Sequence, residues 1–254
     1  MNRVEAMNRE ALKHLLDAPP MLHSAQDFRA SDSGTLASWG IQPSFLEYLV
    51  EVVSEDSLTL ETGSGVSTVC FAIIGSNHTC VSPAAQEHAR IQAYCREHGI
   101  SIERIRFIPM KSEDYLPSLD LGALRLDFGL IDGSHAFPNP IIDYHYINRN
   151  LKVGGLLAID DLAIPSVGIL HKFMLTEPAY EFVRFDGAKT GIYRKVAETL
   201  YPNDWPDQNF NRAWPDLSYL PVALRLRVRL GSVSAIRRVY RSLRRWLGYS
   251  PFVR

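Results

Sequence analysis

The sequence predicts an α/β fold, a doubly wound seven-stranded and mostly parallel sheet with N-terminal helices and a basic C-terminal helical tail. Three observations predict it. From Leu58 onward short apolar runs alternate with helical segments, the pattern of βαβ units. A turn carrying Gly63 and Gly65 joins the first such run to the first such helix. Two later runs end in acid, at Asp132 and at Asp160-Asp161, where open parallel sheets border their ligand crevice.

Taken in order, residues 2–17 form an amphipathic helix with Ala11, Leu12, Leu15 and Leu16 on one face, stopped by Pro19-Pro20. A polar stretch runs to about Gly40, and Phe45, Leu46, Leu49, Val50 and Val53 then recur at helical spacing over 43–53. Strands are expected near 58–62, 78–82, 104–109, 126–132 and 155–160, with helices near 66–75, 84–98, 112–118, 139–150 and 166–176. Residues 181–185 and 190–194 flank the turn signal Asp186-Gly187-Ala188-Lys189, which predicts a closing antiparallel hairpin at the sheet edge. Residues 199–220, rich in Pro, Asp and Asn, read as an irregular connection. The organisation expected is a helical extension over 1–57, a ligand-binding catalytic domain over 58–196, and a connection and basic tail over 197–254.

Composition narrows the class of protein. With 254 residues and 46% hydrophobic side chains the chain can bury one sizeable core. Its net charge of −1 hides an asymmetry: nine of its 27 basic residues, all Arg, lie in 221–254, which contains no acid. Cys70, Cys80 and Cys95 form no CxxC pair and leave an odd thiol, so neither a disulfide framework nor a zinc site is indicated. No run approaches the ~18 apolar residues of a membrane span, and a cytoplasmic protein, peripheral to a membrane at most, is expected.

The glycines of Leu58-Thr59-Leu60-Glu61-Thr62-Gly63-Ser64-Gly65-Val66-Ser67-Thr68 let a ligand approach the backbone just before a helix N-terminus. The third glycine of a dinucleotide fingerprint is replaced by Thr68, and Val81-Ser82-Pro83 ends the second strand without an acid, so a nicotinamide enzyme is disfavoured. The run LETGSGVST resembles the first motif of class I S-adenosylmethionine-dependent methyltransferases, and the order of elements agrees over roughly residues 40–195. That resemblance implies that Glu61, Gly63, Ser64 and Gly65 face the methionine part of the cofactor, Glu61 as partner of its ammonium, with Ser67 and Thr68 starting the helix. It also implies that Ser82, standing where the family usually has an acid, makes a weaker neutral contact to the ribose. Ser112, in Lys111-Ser112-Glu113, follows the third strand where such enzymes often contact adenine.

Asp132, Asp160 and Asp161 should converge at the same sheet edge, where three carboxylates repel unless a cation or protons intervene. Hard oxygen ligands suit Mg²⁺, or else Ca²⁺ or Mn²⁺. An acid ending strand four and an acid pair ending strand five, 28 residues on, is similar to the metal-dependent O-methyltransferases. His135, three residues beyond Asp132, resembles the general base of the macrolide sugar type. The resemblance implies a metal set of Asp132, Asp160 and Asp161, with Asp132 also on the cofactor side and, with His135, in catalysis. Plainer roles stay open: Asp161 as a cap and His135 as a backbone or cofactor contact, while Asp143 and His145 either line the substrate cavity or, the favoured reading, are packed or solvated residues of the fourth helix.

The tail alternates strictly over 224–230, and from Val233 to Leu247 its apolar residues recur at helical spacing with five arginines between. Docking on the same domain, homodimerisation and an anionic membrane surface are all compatible with it. Nucleic acid is the least favoured partner, since no Asp/Asn-Pro-Pro-Tyr type of motif stands at strand four. The expected function is S-adenosylmethionine-dependent O-methylation of a small hydroxyl acceptor, a sugar or a phenol, with Mg²⁺ assisting. The alternatives are a non-catalytic S-adenosylmethionine-binding protein and a hydroxylase-related member of the same fold.

Overall fold

The computed structural model describes residues 3–24, 36–37, 40–119, 125–187, 189–199 and 208–213. In chain order the elements are α1 (Arg3–Asp17), β1 (His23–Ser24), β2 (Leu36–Ala37), α2 (Pro43–Val52), β3 (Leu58–Thr62), α3 (Val66–Ile74), β4 (Asn77–Val81) and α4 (Ala85–Glu97). They continue with β5 (Ile105–Ile108), α5 (Ser112–Tyr115), β6 (Leu126–Ile131), α6 (Asn139–Asn150), β7 (Leu151–Ile159), α7 (Pro165–Met174), β8 (Tyr180–Asp186) and β9 (Thr190–Lys195). Residues 203–254 form a separate unit, of which α8 (Asn209–Ala213) is described.

Seven strands make one sheet in the order β5-β4-β3-β6-β7-β9-β8. β3 to β7 are parallel, and β9 pairs antiparallel with both β7 and β8. The five parallel strands and closing hairpin are thus as the sequence pattern predicts, because alternation of buried runs with amphipathic helices permits little else. Core residues alternate between the two faces: Leu156, Ala158 and Ile192 join the α1–α4 side, and Leu157, Ile159 and Tyr193 the α6–α7 side. Leu15 of α1 and Phe45, Leu46, Tyr48 and Leu49 of α2 are buried, whereas Val50 is exposed.

Three details depart from the sequence expectation. β7 begins at Leu151 rather than 155, its pairing with β6 shifting register between Leu126 and Phe128. The stretch before Gly40 contains the two-residue pairing of β1 with β2, too short to leave a period in the sequence. Residues 209–213 are helical within the stretch read as irregular. The basic run after Pro221 lies outside the described residues. Among the described residues no helix is long and apolar enough to cross a membrane.

Hydrogen bonds continue the ladder past the strand ends. Asp132 N–H donates to Thr62 O at 3.0 Å, Asp160 N–H to Ile131 O at 3.0 Å, and Gly63 N–H to Val81 O at 2.9 Å. The ends of β4, β3, β6 and β7 are therefore level, and the loops leaving them meet at one sheet edge.

Candidate active site

A cavity of about 700 Å³ opens at that edge, within the ~300–1,000 Å³ usual for small-molecule sites. Gly63, Ser64, Ser82, Ser112, Asp132, His135 and Asp161 line it. Gly63 has φ +97°, and a Cβ there would stand 2.8 Å from the carbonyl carbon of Asp132 and closer still to its oxygen. The β3 and β6 ends approach this closely only because Gly63 has no side chain.

Glu61 is placed differently from the expectation. It is 1% exposed and lines no part of the cavity. One carboxylate oxygen accepts from Ser67 Oγ at 2.7 Å, the other from Thr68 Oγ1, and His78 Nε2 lies 3.1 Å from that second oxygen. The Gly65 N–H donates to Thr68 Oγ1 at 3.0 Å. Glu61, Ser67 and Thr68 thus brace the turn and the first residues of α3 from behind, and the acid meets its need for partners within the protein. Gly65 has the His23 ring against it, 3.0 Å from where a Cβ would stand.

Glu87 brings a carboxylate to the part of the cavity that Ser82 lines. It sits in the first turn of α4, lines the cavity, accepts from Ser64 Oγ, and has His23 Nδ1 2.7 Å from its other oxygen. The sequence carries its signal, an acid in the first turn of the helix after Ser82; His23 gives none.

The acids do not gather as a trio. Asp161 has φ +56°, a left-handed conformation that Asp tolerates better than most residues, and it sends consecutive side chains in different directions. Asp160 turns inward: it is 1% exposed, accepts from Thr190 Oγ1, and has Lys189 Nζ 2.7 Å from Oδ2. Asp161 faces the cavity with Oδ1 3.1 Å from the same ammonium. His135 stands between Asp132 and Asp161, its Nε2 3.6 Å from Asp132 Oδ1 and its Nδ1 3.5 Å from Asp161 Oδ2.

The set that converges is therefore Asp132, His135 and Asp161, whose ligand atoms lie within 4.8 Å of one another, and not Asp132, Asp160 and Asp161. The physical reason is Lys189, which takes Asp160 for itself. His135 Nε2 is buried with no hydrogen-bond partner, so the cluster has an unmet polar group as well as excess negative charge. Burial pushes the Asp132 carboxyl up, against the opposing pull of the neighbouring His135 ring. Burial acts to lower the His135 pKa, but Asp132, Asp161 and Asp160 outweigh it and raise the pKa above the usual 6.5. Lys189, opposed by burial, is likewise raised by Asp160 and Asp161 and stays charged.

Beneath the cavity floor lies Asp143 of α6, fully buried, with neither carboxylate oxygen hydrogen-bonded. It is packed rather than solvated. Burial pushes its carboxyl from 3.8 up to about 6, opposed by the nearby Ser112 and Thr62 hydroxyls. The folded state then holds this proton more tightly than the unfolded chain, so stability falls as pH rises from about 4 to about 6, by roughly 3 kcal/mol in all. Replacement by Asn is expected to remove that fall and to raise Tm at pH 8 by several degrees. Melting curves of both proteins at pH 4.5 and pH 8 check this, and equal shifts at the two values would contradict it.

Residues 60–162 match the model of a family described as "Methyltransferase domain". No curated protein matches the chain by sequence. Among solved structures the fold is shared with cofactor-bound Rv0187 from MTB, at TM-score 0.52 and 15% identity over 77% of this chain and 90% of that one. It is shared also with the O-methyltransferase TomG from Streptomyces achromogenes, solved with S-adenosylmethionine, at 0.52 and 13% over 78% and 91%. A third is a putative caffeoyl-CoA O-methyltransferase from Staphylococcus aureus, at 0.52 and 14% over 77% and 93%. Residues 60–162 thus resemble a methyltransferase domain, and the chain shares the fold of these structures.

Proposed function

We propose that this class I domain methylates a hydroxyl of a small acceptor, with His135 taking the hydroxyl proton. The observation that carries the proposal is His135 held between two carboxylates on the wall of the cavity that the glycine turn also lines. When bound there, S-adenosylmethionine supplies an electrophilic methyl group on a sulfonium. Gly63 and Ser64 hold the turn against it, Glu87 and Ser82 offer oxygen acceptors to its hydroxyls, and Ser112 stands on the adenine side. Neutral His135 accepts the proton as the oxygen attacks, and Asp132 and Asp161 stabilise the imidazolium that forms. Two fold neighbours described as O-methyltransferases are consistent with an oxygen acceptor. A sugar is favoured over a phenol by the Asp-x-x-His and Asp-Asp pattern of the sequence.

Asp132, His135 and Asp161 also fit a divalent ion, which favours a second, metal-assisted reading. A nitrogen ligand beside two carboxylates suits Mn²⁺ or another transition ion better than the Mg²⁺ expected for an all-oxygen site. Such an ion would lower the pKa of an acceptor hydroxyl. The test is calorimetry with S-adenosylmethionine, followed by mass analysis of sugars and phenols incubated with it, with and without excess chelator. One site per chain and a gain of one methyl mass are expected. Binding without transfer points to a non-catalytic binding protein, gain of an oxygen mass to a hydroxylase, and loss of turnover in chelator to the metal-assisted form.

A further inference from the structure

We propose that Lys189 is the resident counter-ion of the acidic cluster, and that its charge keeps divalent ions out of the Asp132–His135–Asp161 site. The residue lies in the turn between β8 and β9, and its backbone is tied on both sides. Its carbonyl accepts from Leu162 N–H at 3.0 Å and its N–H donates to Asp186 O at 3.1 Å. That fixes the side chain's origin one residue from Asp161.

An ammonium has three donors, and the surroundings of Lys189 use three acceptors. They are Asp160 Oδ2 at 2.7 Å, Asp161 Oδ1 at 3.1 Å and the Gly40 carbonyl at 3.4 Å. No donor is left for an acceptor molecule, so the lysine serves the cluster rather than a substrate. Its main partner, Asp160, is 1% exposed, and a carboxylate so buried needs a cation of its own. Asp160 receives that cation from the hairpin together with a hydroxyl from the adjacent Thr190.

The charge count then separates two states of the site. With Lys189 present and His135 neutral, Asp132, Asp160 and Asp161 carry a net −2; protonation of His135 leaves −1. A divalent ion entering between Asp132, His135 and Asp161 would stand a few Å from the ammonium that already holds Asp161. Without the lysine the ammonium is gone from Asp161 Oδ1, and Asp161 keeps only its contact with His135.

The test is Mn²⁺ binding to the cofactor-free full chain, read by electron paramagnetic resonance, for the wild type, Lys189→Met and Lys189→Arg. Methyl transfer does not enter, so the outcome is independent of the function proposed above. Lys189→Met is expected to bind Mn²⁺ at least about 10²-fold more tightly than the wild type, the scale set by removing a cation a few Å away. Lys189→Arg is expected to stay near the wild type, and adding Asp161→Asn to Lys189→Met should abolish the gain. Wild-type micromolar binding that Lys189→Met leaves unchanged or weakens would overturn the proposal. If Lys189→Met does not fold, Asp160→Asn with Lys189→Met removes the buried acid together with its partner, keeps the three ligands, and is read in the same way.

Discussion

Replacing His135 by alanine is expected to lower turnover by about 10²–10⁴, the contribution of a positioned base and equivalent to roughly 3–5 kcal/mol of barrier. On the proposed role, in which His135 serves the acceptor hydroxyl, cofactor affinity should barely move. The pH profile gives the sharper reading. A base must be neutral, so turnover falls as pH drops through the His135 pKa, which the surrounding carboxylates raise above 6.5. Asp132→Asn removes one cause of that rise and should move the acidic limb to lower pH. A divalent ion in the cluster would also lower it, so the limb's position with and without chelator reports whether one is bound. Should the alanine variant keep more than about a tenth of the activity with an unchanged limb, His135 is not the base.

Gly63→Ala is expected to be the most damaging conservative change in the domain. Two costs coincide: a residue with a Cβ at φ +97°, about 1–3 kcal/mol, and a methyl group driven into the Asp132 carbonyl, about 1–3 kcal/mol more. The control is Gly99→Ala, which shares a positive φ, +67°, but meets nothing within 4 Å. Denaturant midpoints should place Gly63→Ala well below Gly99→Ala, and calorimetry should find cofactor binding lost only in the former. A midpoint equal to the control's would show that the β3 and β6 ends can part without cost. Gly65 is the more forgiving glycine, since its neighbour is the His23 ring, a side chain that can move.

The sheet is legible in the sequence because its information is local: each strand is a buried run and each helix an amphipathic one, and parallel connections leave few topologies. The site is legible only by position. Strand ends place Gly63, Asp132, Asp160 and Asp161 at one edge, but which way each acid points depends on the left-handed backbone at Asp161 and on Lys189, which arrives from a later hairpin. Glu61 shows the same limit, since its partners Ser67 and Thr68 read as helix residues and nothing in the spacing marks His78. In each case the misplaced side chain has a partner contributed by another element, which distance along the sequence does not reveal.

The hairpin that carries Lys189 also sets an order of assembly. β9 joins the sheet beside β7 and brings Lys189 and Thr190 to Asp160. A nascent chain emerging from the ribosome can therefore form all five parallel strands while Asp160 still lacks its cation, and such an intermediate gains from keeping that sheet edge wet. Closing the edge and neutralising the acid are one event, so the acidic cluster is complete only when the last strand docks.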